Sequence, residues 1–158
     1  MNQILIREQT YEKARKQIQE AIKSNINSNI VFSSNDDELN RKVLENANAL
    51  KINVLLINQS GRKDFQKQRN SGFNQVMAKE AKKNNISIGI NLDEIIEASN
   101  NKKIKAEILA RTSQNIMLCN KNKVKMTFIT QNQNNQRNPH DLKSLGSVLG
   151  MPTWMLTE

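Results

Sequence analysis

The sequence predicts an α/β protein with mainly parallel strands, and three observations carry that expectation. Short β-like runs alternate with longer segments of helical periodicity along the chain. One run, "NVLLIN" (53–58), is continuously apolar, as in strands covered on both faces of a parallel sheet. The connections are long enough for helical crossovers between parallel strands.

The elements follow in order. "QILI" (3–6) is a first strand, and the helical stretch after it places Ala14, Ile18, Ala21 and Ile22 on one side. "NIVFSS" (29–34) is a second strand. A helix to Leu50 then opens on Asn35, Asp36 and Asp37, with Leu39, Val43, Leu44, Ala47 and Leu50 as its inner stripe. After "NVLLIN", Ser71 is the expected cap of a helix whose apolar face is Phe73, Val76, Met77 and Ala81. "ISIGIN" (86–91) is followed by a short helix, "LDEIIEAS". A longer helix from about Lys102 to Lys121 places Ile104, Ile108, Thr112, Ile116 and Cys119 on one side. "KMTFIT" (125–130) is a fifth strand, and a polar loop leads to a last helix ending near Gly150.

The 158 residues suit a single domain over 1–158. A closed eight-stranded barrel usually takes about 250 residues, so a reduced or incomplete (β/α) barrel is expected.

Composition narrows the chemistry. Lys and Arg number 24 against 15 Asp and Glu, a net charge of +9 that favours a polyanionic partner. One cysteine and one histidine exclude an internal disulfide, a Cys-based zinc site and a histidine cluster. No apolar run approaches the roughly 20 residues that span a bilayer. The N-terminal stretch lacks a secretory apolar core. A cytoplasmic protein with no membrane partner is expected.

Right-handed crossovers put every strand-to-helix loop at one edge of the sheet, where α/β proteins gather functional groups. The loop 58–71 brings Arg62, Lys63, Lys67 and Arg69 to that edge, and the loop 130–139 brings Arg137. Phosphate contact is the reading for this cluster, with Arg as a planar fork and Lys as a point charge. An ion pair between Arg62 and Asp64 is the structural alternative for Arg62. Arg111, beside the apolar stripe of the long helix, has two open readings: contact with the polyanionic partner or a carboxylate partner. Lys121 and Lys123 suit a helix C-terminus, and Lys79, Lys82 and Lys83 a solvated helix face. His140 reads as a polar helix-start residue and Cys119 as packing. Asp36, Asp37, Asp64, Asp93 and Glu94 follow strands, but most lie near helix N-termini, where carboxylates are stabilised without metal. No catalytic or metal-ligating residue is assigned.

Four segments resemble a known family. They are "SGRKD" (60–64), "SGFNQVMAKEAKKNNISIGINLDEII" (71–96), "ARTSQNIMLCNKNKV" (110–124) and "RNPHDLKSLGSVLGM" (137–151). In this order they resemble archaeal RNase P protein component 3, the thirty-kilodalton RNase P subunit family shared with eukaryotes. The likeness spans Asn53 to Met151, and the chain is shorter than family members.

The resemblance implies a TIM-like barrel of the polymerase-and-histidinol-phosphatase type. It implies a non-catalytic protein subunit of ribonuclease P, in which the RNA, with its own Mg²⁺, removes the 5′ leader of precursor tRNA. It implies no cofactor held by the protein. The implied partners are the RNase P RNA, precursor tRNA through the complex, and component 2, in a possible heterotetramer. Arg62, Lys63 and Arg111 fall within the matched segments. Two rival classes remain: a metal-dependent phosphoesterase on the related barrel, for which one histidine is too few, and a basic protein-interaction module.

Overall fold

The computed structural model describes residues 3–24 and 27–157. Five strands, β1 (Gln3–Arg7), β2 (Asn29–Ser33), β3 (Val54–Ile57), β4 (Ser87–Asn91) and β5 (Met126–Ile129), form one sheet. Their order in the sheet is their order in the chain, and every pairing is parallel. A doubly wound sheet reverses its order at a switch point; this one does not. Among the described residues β1 and β5 each pair on one side only, so the strands make an open arc of a TIM-like (β/α) barrel.

The helices are α1 (Tyr11–Ser24), α2 (Asp37–Glu45), α3 (Ala47–Leu50), α4 (Gln75–Lys83), α5 (Leu92–Glu97), α6 (Lys102–Asn122), α7 (Pro139–Leu149) and α8 (Thr153–Leu156). Because each crossover is wound the same way, they cover one face of the sheet. Phe32, Leu55, Ile57, Ile88 and Ile90 point into that layer, against Ile18, Val43, Leu44, Ile108 and Ile116. The opposite face carries a smaller cluster of strand side chains only: Val31, Val54, Leu56 and Ile129, with Leu5 packed against them. Gly89 lies within this second cluster. A Cβ there would sit 3.0 Å from Leu56 Cδ1 and 3.1 Å from Ile129 Cγ1, so the missing side chain lets those two close over the strand.

Asx side chains start the helices that frame the functional edge. Asp36 accepts from the Glu38 and Leu39 amides, Asn74 from Met77, Asn91 from Asp93 and Glu94, Asn101 from Ile104, and Asn138 from Asp141. These caps correct two expectations. Ser71 is not the cap of α4; it is buried, its hydroxyl donates to Phe73 O at 3.2 Å, and the helix starts after Asn74. The helix expected to run on to Leu50 breaks at Asn46, whose φ of −104° and ψ of 15° separate α2 from α3. Val76 and Ile104, assigned to apolar faces, are exposed: Val76 lies on the side of α4 away from the buried Met77, Ala78 and Ala81, and Ile104 lies in the first turn of α6, before the buried residues begin at Ile108. Cys119 is fully buried, and burial pushes its thiol up to about 12, in keeping with packing. No helix among the described residues is long and apolar enough to cross a membrane.

Candidate nucleic-acid interface

At the carboxyl edge of the sheet the strand ends are tied laterally by polar side chains. Asn91 Nδ2 donates to Asn58 Oδ1 at 2.9 Å, and Asn58 Nδ2 to Ser33 Oγ at 3.4 Å. This ladder joins the ends of β4, β3 and β2, and it gives the loops above it a common base.

Four carboxylates at this edge, Asp37, Asp64, Asp93 and Glu94, are engaged by the protein itself. Asp93 and Glu94, adjacent in the first turn of α5, hold the two basic loops on either side. Asp93 accepts from the Thr130 hydroxyl at 2.6 Å, the Gln131 amide at 2.8 Å and Asn135 Nδ2 at 2.9 Å, which fastens the loop after β5. Burial alone would raise its pKa, but these donors outweigh burial and hold the carboxyl below its usual range. Glu94 accepts from the backbone amides of Gln59 at 2.8 Å and Ser60 at 3.1 Å, fastening the loop after β3. Burial dominates at Glu94 and raises its pKa.

The two arginines nearest the core are committed inward. Arg62 makes a bidentate pair with Asp37, both contacts 2.8 Å, and its Nε donates to Asn58 O at 2.6 Å. Its guanidinium lies over Gly72, whose φ is +67° and where a Cβ would fall 2.4 Å from Arg62 Nη2. Any side chain at 72 would therefore displace the arginine. Arg111 is 2% exposed; its Nε donates to Asp64 Oδ1 at 2.9 Å, Nη1 to Gln59 O at 3.1 Å and Nη2 to Arg62 O at 2.9 Å.

The structure gives both Arg62 and Arg111, expected to contact RNA, a carboxylate partner within the protein. Each guanidinium makes three hydrogen bonds to acceptors within the protein. The partner of Arg62 is Asp37, on another element, rather than Asp64. Asp64 belongs to Arg111 and also accepts from the Asn70 amide at 2.9 Å. The Arg111 hydrogen bond, then the Asn70 amide, hold its carboxyl below the usual range.

The other expected cations face outward. Lys63, Lys67 and Arg69 are exposed on the loop after β3, and Arg137 is exposed on the loop after β5, bonded only to the backbone oxygens of Asn134 and Gln136. His140 is exposed in the first turn of α7, as a helix-start residue would be. Among the described residues no group of three His, Cys, Asp or Glu side chains is placed to hold a metal ion. Sequence reasoning passed over Phe65, a residue 58% exposed beside the basic residues. Its signal was an aromatic in an otherwise polar loop of a chain with few aromatics.

The anchoring of Asp93 gives a pH expectation. A carboxyl whose pKa is depressed in the folded state stabilises that state above its unfolded pKa of about 3.9. The contribution is lost as pH falls through the lower folded value. The loop after β5 is therefore expected to loosen in acid below about pH 4. Glu94, shifted the other way, does not share that dependence. Amide exchange over residues 130–135 as a function of pH reads this directly. Asp93→Asn should remove the acid-dependent rise, and an identical rise in the variant would rule out Asp93 as its source.

No curated protein matches this chain. A chain in a cryo-EM structure of archaeal ribonuclease P with mature tRNA superposes with a TM-score of 0.77 at 21% identity, over 97% of this chain and 62% of that one. A crystal structure of an uncharacterized protein superposes with a TM-score of 0.58 at 10% identity, over 94% of this chain and 39% of that one. These likenesses show the fold, and this chain spans under two thirds of the ribonuclease P structure's chain. The profile of the RNase P subunit p30 family matches residues 30–154, a stretch that begins in β2 and takes in both basic loops with the carboxylates that fasten them. By that match over most of its length, the chain belongs to the RNase P subunit p30 family.

Proposed function

We propose that this chain is a protein subunit of ribonuclease P that binds RNA backbone through the loops at the carboxyl edge of its sheet. One observation carries the reading. Asp37, Asp64, Asp93 and Glu94 all accept from donors within the protein, while Lys63, Lys67, Arg69 and Arg137 face solvent. These four anions thus brace the loops, and the four cations form outer charge of the edge. Such a surface suits phosphates without regard to base sequence. Family membership supports the same direction, as does the fold shared with a chain of an RNA-containing assembly.

In this reading the protein supports a catalytic RNA whose Mg²⁺ is held by the RNA, and component 2 is its protein partner, in a possible heterotetramer. Precursor tRNA is met through the complex.

The test is reconstitution. RNase P RNA is assayed for precursor-tRNA cleavage alone, with component 2, and with component 2 plus this chain. Cleavage is expected to rise on adding the chain and to be absent with the chain and Mg²⁺ but no RNA subunit. RNA-free cleavage, or no gain in the full mixture, would count against the proposal.

A further inference from the structure

We infer that Phe65 is a stacking platform for an unpaired nucleotide of the bound RNA. The inference rests on the RNA-binding reading above and specifies its chemistry.

The ring is displayed on a clamped turn. Asp64 Oδ1 receives both Arg111 and the Asn70 amide, and the Phe65 amide donates to Gln68 O at 2.9 Å, so the base of the turn is closed on both sides of the ring. Holding an apolar ring in water brings no folding benefit, since burial is what stabilises such a side chain. Its position beside cations gives it a different use. Lys63 and Lys67 flank it in sequence, and Arg69 lines the same groove.

That groove, about 290 Å³, runs between the loop and helices α2, α4 and α6. It lies near the lower limit of small-ligand clefts, a size for single bases rather than a duplex. Beside Phe65 and Arg69 its walls offer the amides of Gln68, Asn74 and Gln114; Arg41 lines it too, with its Nε paired to Glu45 at 2.9 Å. Glu38 and Asp37 also line it; Asp37 is committed to Arg62. The groove thus pairs an aromatic face with polar groups for base edges and cations for phosphate. A nucleotide splayed out of a helix has those same three parts. An apolar protein surface docking on Phe65 would have to bury the surrounding cations without partners, which is costly.

The experiment uses the full chain and two probes: a short single-stranded oligoribonucleotide carrying 2-aminopurine, and a blunt RNA duplex of the same length. Wild type, Phe65→Leu, Phe65→Trp and the Lys63→Ala/Lys67→Ala/Arg69→Ala variant are titrated by fluorescence and by filter binding. Phe65→Leu is expected to weaken single-strand binding about five- to a hundredfold and to abolish the 2-aminopurine quenching. Its duplex affinity and salt slope should be unchanged, and Phe65→Trp should restore single-strand binding. If Phe65→Leu binds the single strand as wild type does while the charge variant is weakened, stacking is overturned and the basic-edge reading stands. If wild type binds neither probe at low salt, both readings fall. Failure of Phe65→Leu to associate with component 2, with RNA affinity intact, would also overturn the inference and assign the ring to a protein interface.

Discussion

Replacing Arg111 with methionine is expected to lower the melting midpoint by about 5–15 °C, the largest stability effect of any single change at the basic edge. Methionine keeps much of the apolar stem but removes the guanidinium, leaving Gln59 O and Arg62 O without their donors. Each orphaned, poorly solvated carbonyl costs about 1–3 kcal/mol, and a chain of this size loses about 2–4 °C per kcal/mol. Asp64 adds little to the cost, because its side chain is 36% exposed and water can take over from the arginine. Lysine should not rescue, since one ammonium cannot present a planar fork to three separate acceptors. Amide exchange should quicken over residues 59–70 before anywhere else. A midpoint within a degree or so of wild type would show that the arginine is not what holds this loop.

The charge variant, Lys63→Ala/Lys67→Ala/Arg69→Ala, is expected to leave the fold intact and to change RNA binding more than any other surface substitution. Each phosphate that is no longer neutralised takes about 0.7 to 0.9 off the slope of log K against log salt, so three of them take off about 2 to 3. These side chains are exposed, and substitutions of that kind shift stability by about 0.5 kcal/mol or less each. Titration at several salt concentrations, with a circular dichroism melt alongside, separates the two effects. An unchanged slope with an intact melt would move the RNA surface away from this loop, toward Arg137.

The central strands were legible in the sequence because β2, β3 and β4 are buried on both faces, which leaves an apolar run such as "NVLLIN". The topology followed from spacing and handedness. The features that sequence hid are those decided by long-range contacts. Asn46 interrupts a stripe whose periodicity runs on unbroken, so nothing local marked the end of α2. Ser71 and Asn74 are both good capping residues three apart; the choice fell to Asn74 once Gln59 Nε2 had taken Ser71 O at 2.9 Å. Arg62 has Asp64 two residues away, yet its partner is Asp37, 25 positions earlier, because consecutive strand ends converge at one edge. For Arg111 the sequence left two readings open. The contest between exposure and an internal ion pair depends on burial, which only the packed helix reveals. The four outward cations were legible from charge alone, whereas Phe65 carries no charge and stands out only once its exposure is known.

The strand order has a consequence for how the molecule comes into being. Among the described residues each strand after the first docks on the strand that left the ribosome just before it, one or two helices earlier. Loop closure is therefore made in small instalments, which favours fast, stepwise growth over a single late collapse. At every stage of synthesis the growing sheet ends in one freshly made edge, ready to receive the next strand–helix unit. The same property lets evolution lengthen or shorten the arc by whole units without rewiring what is already folded.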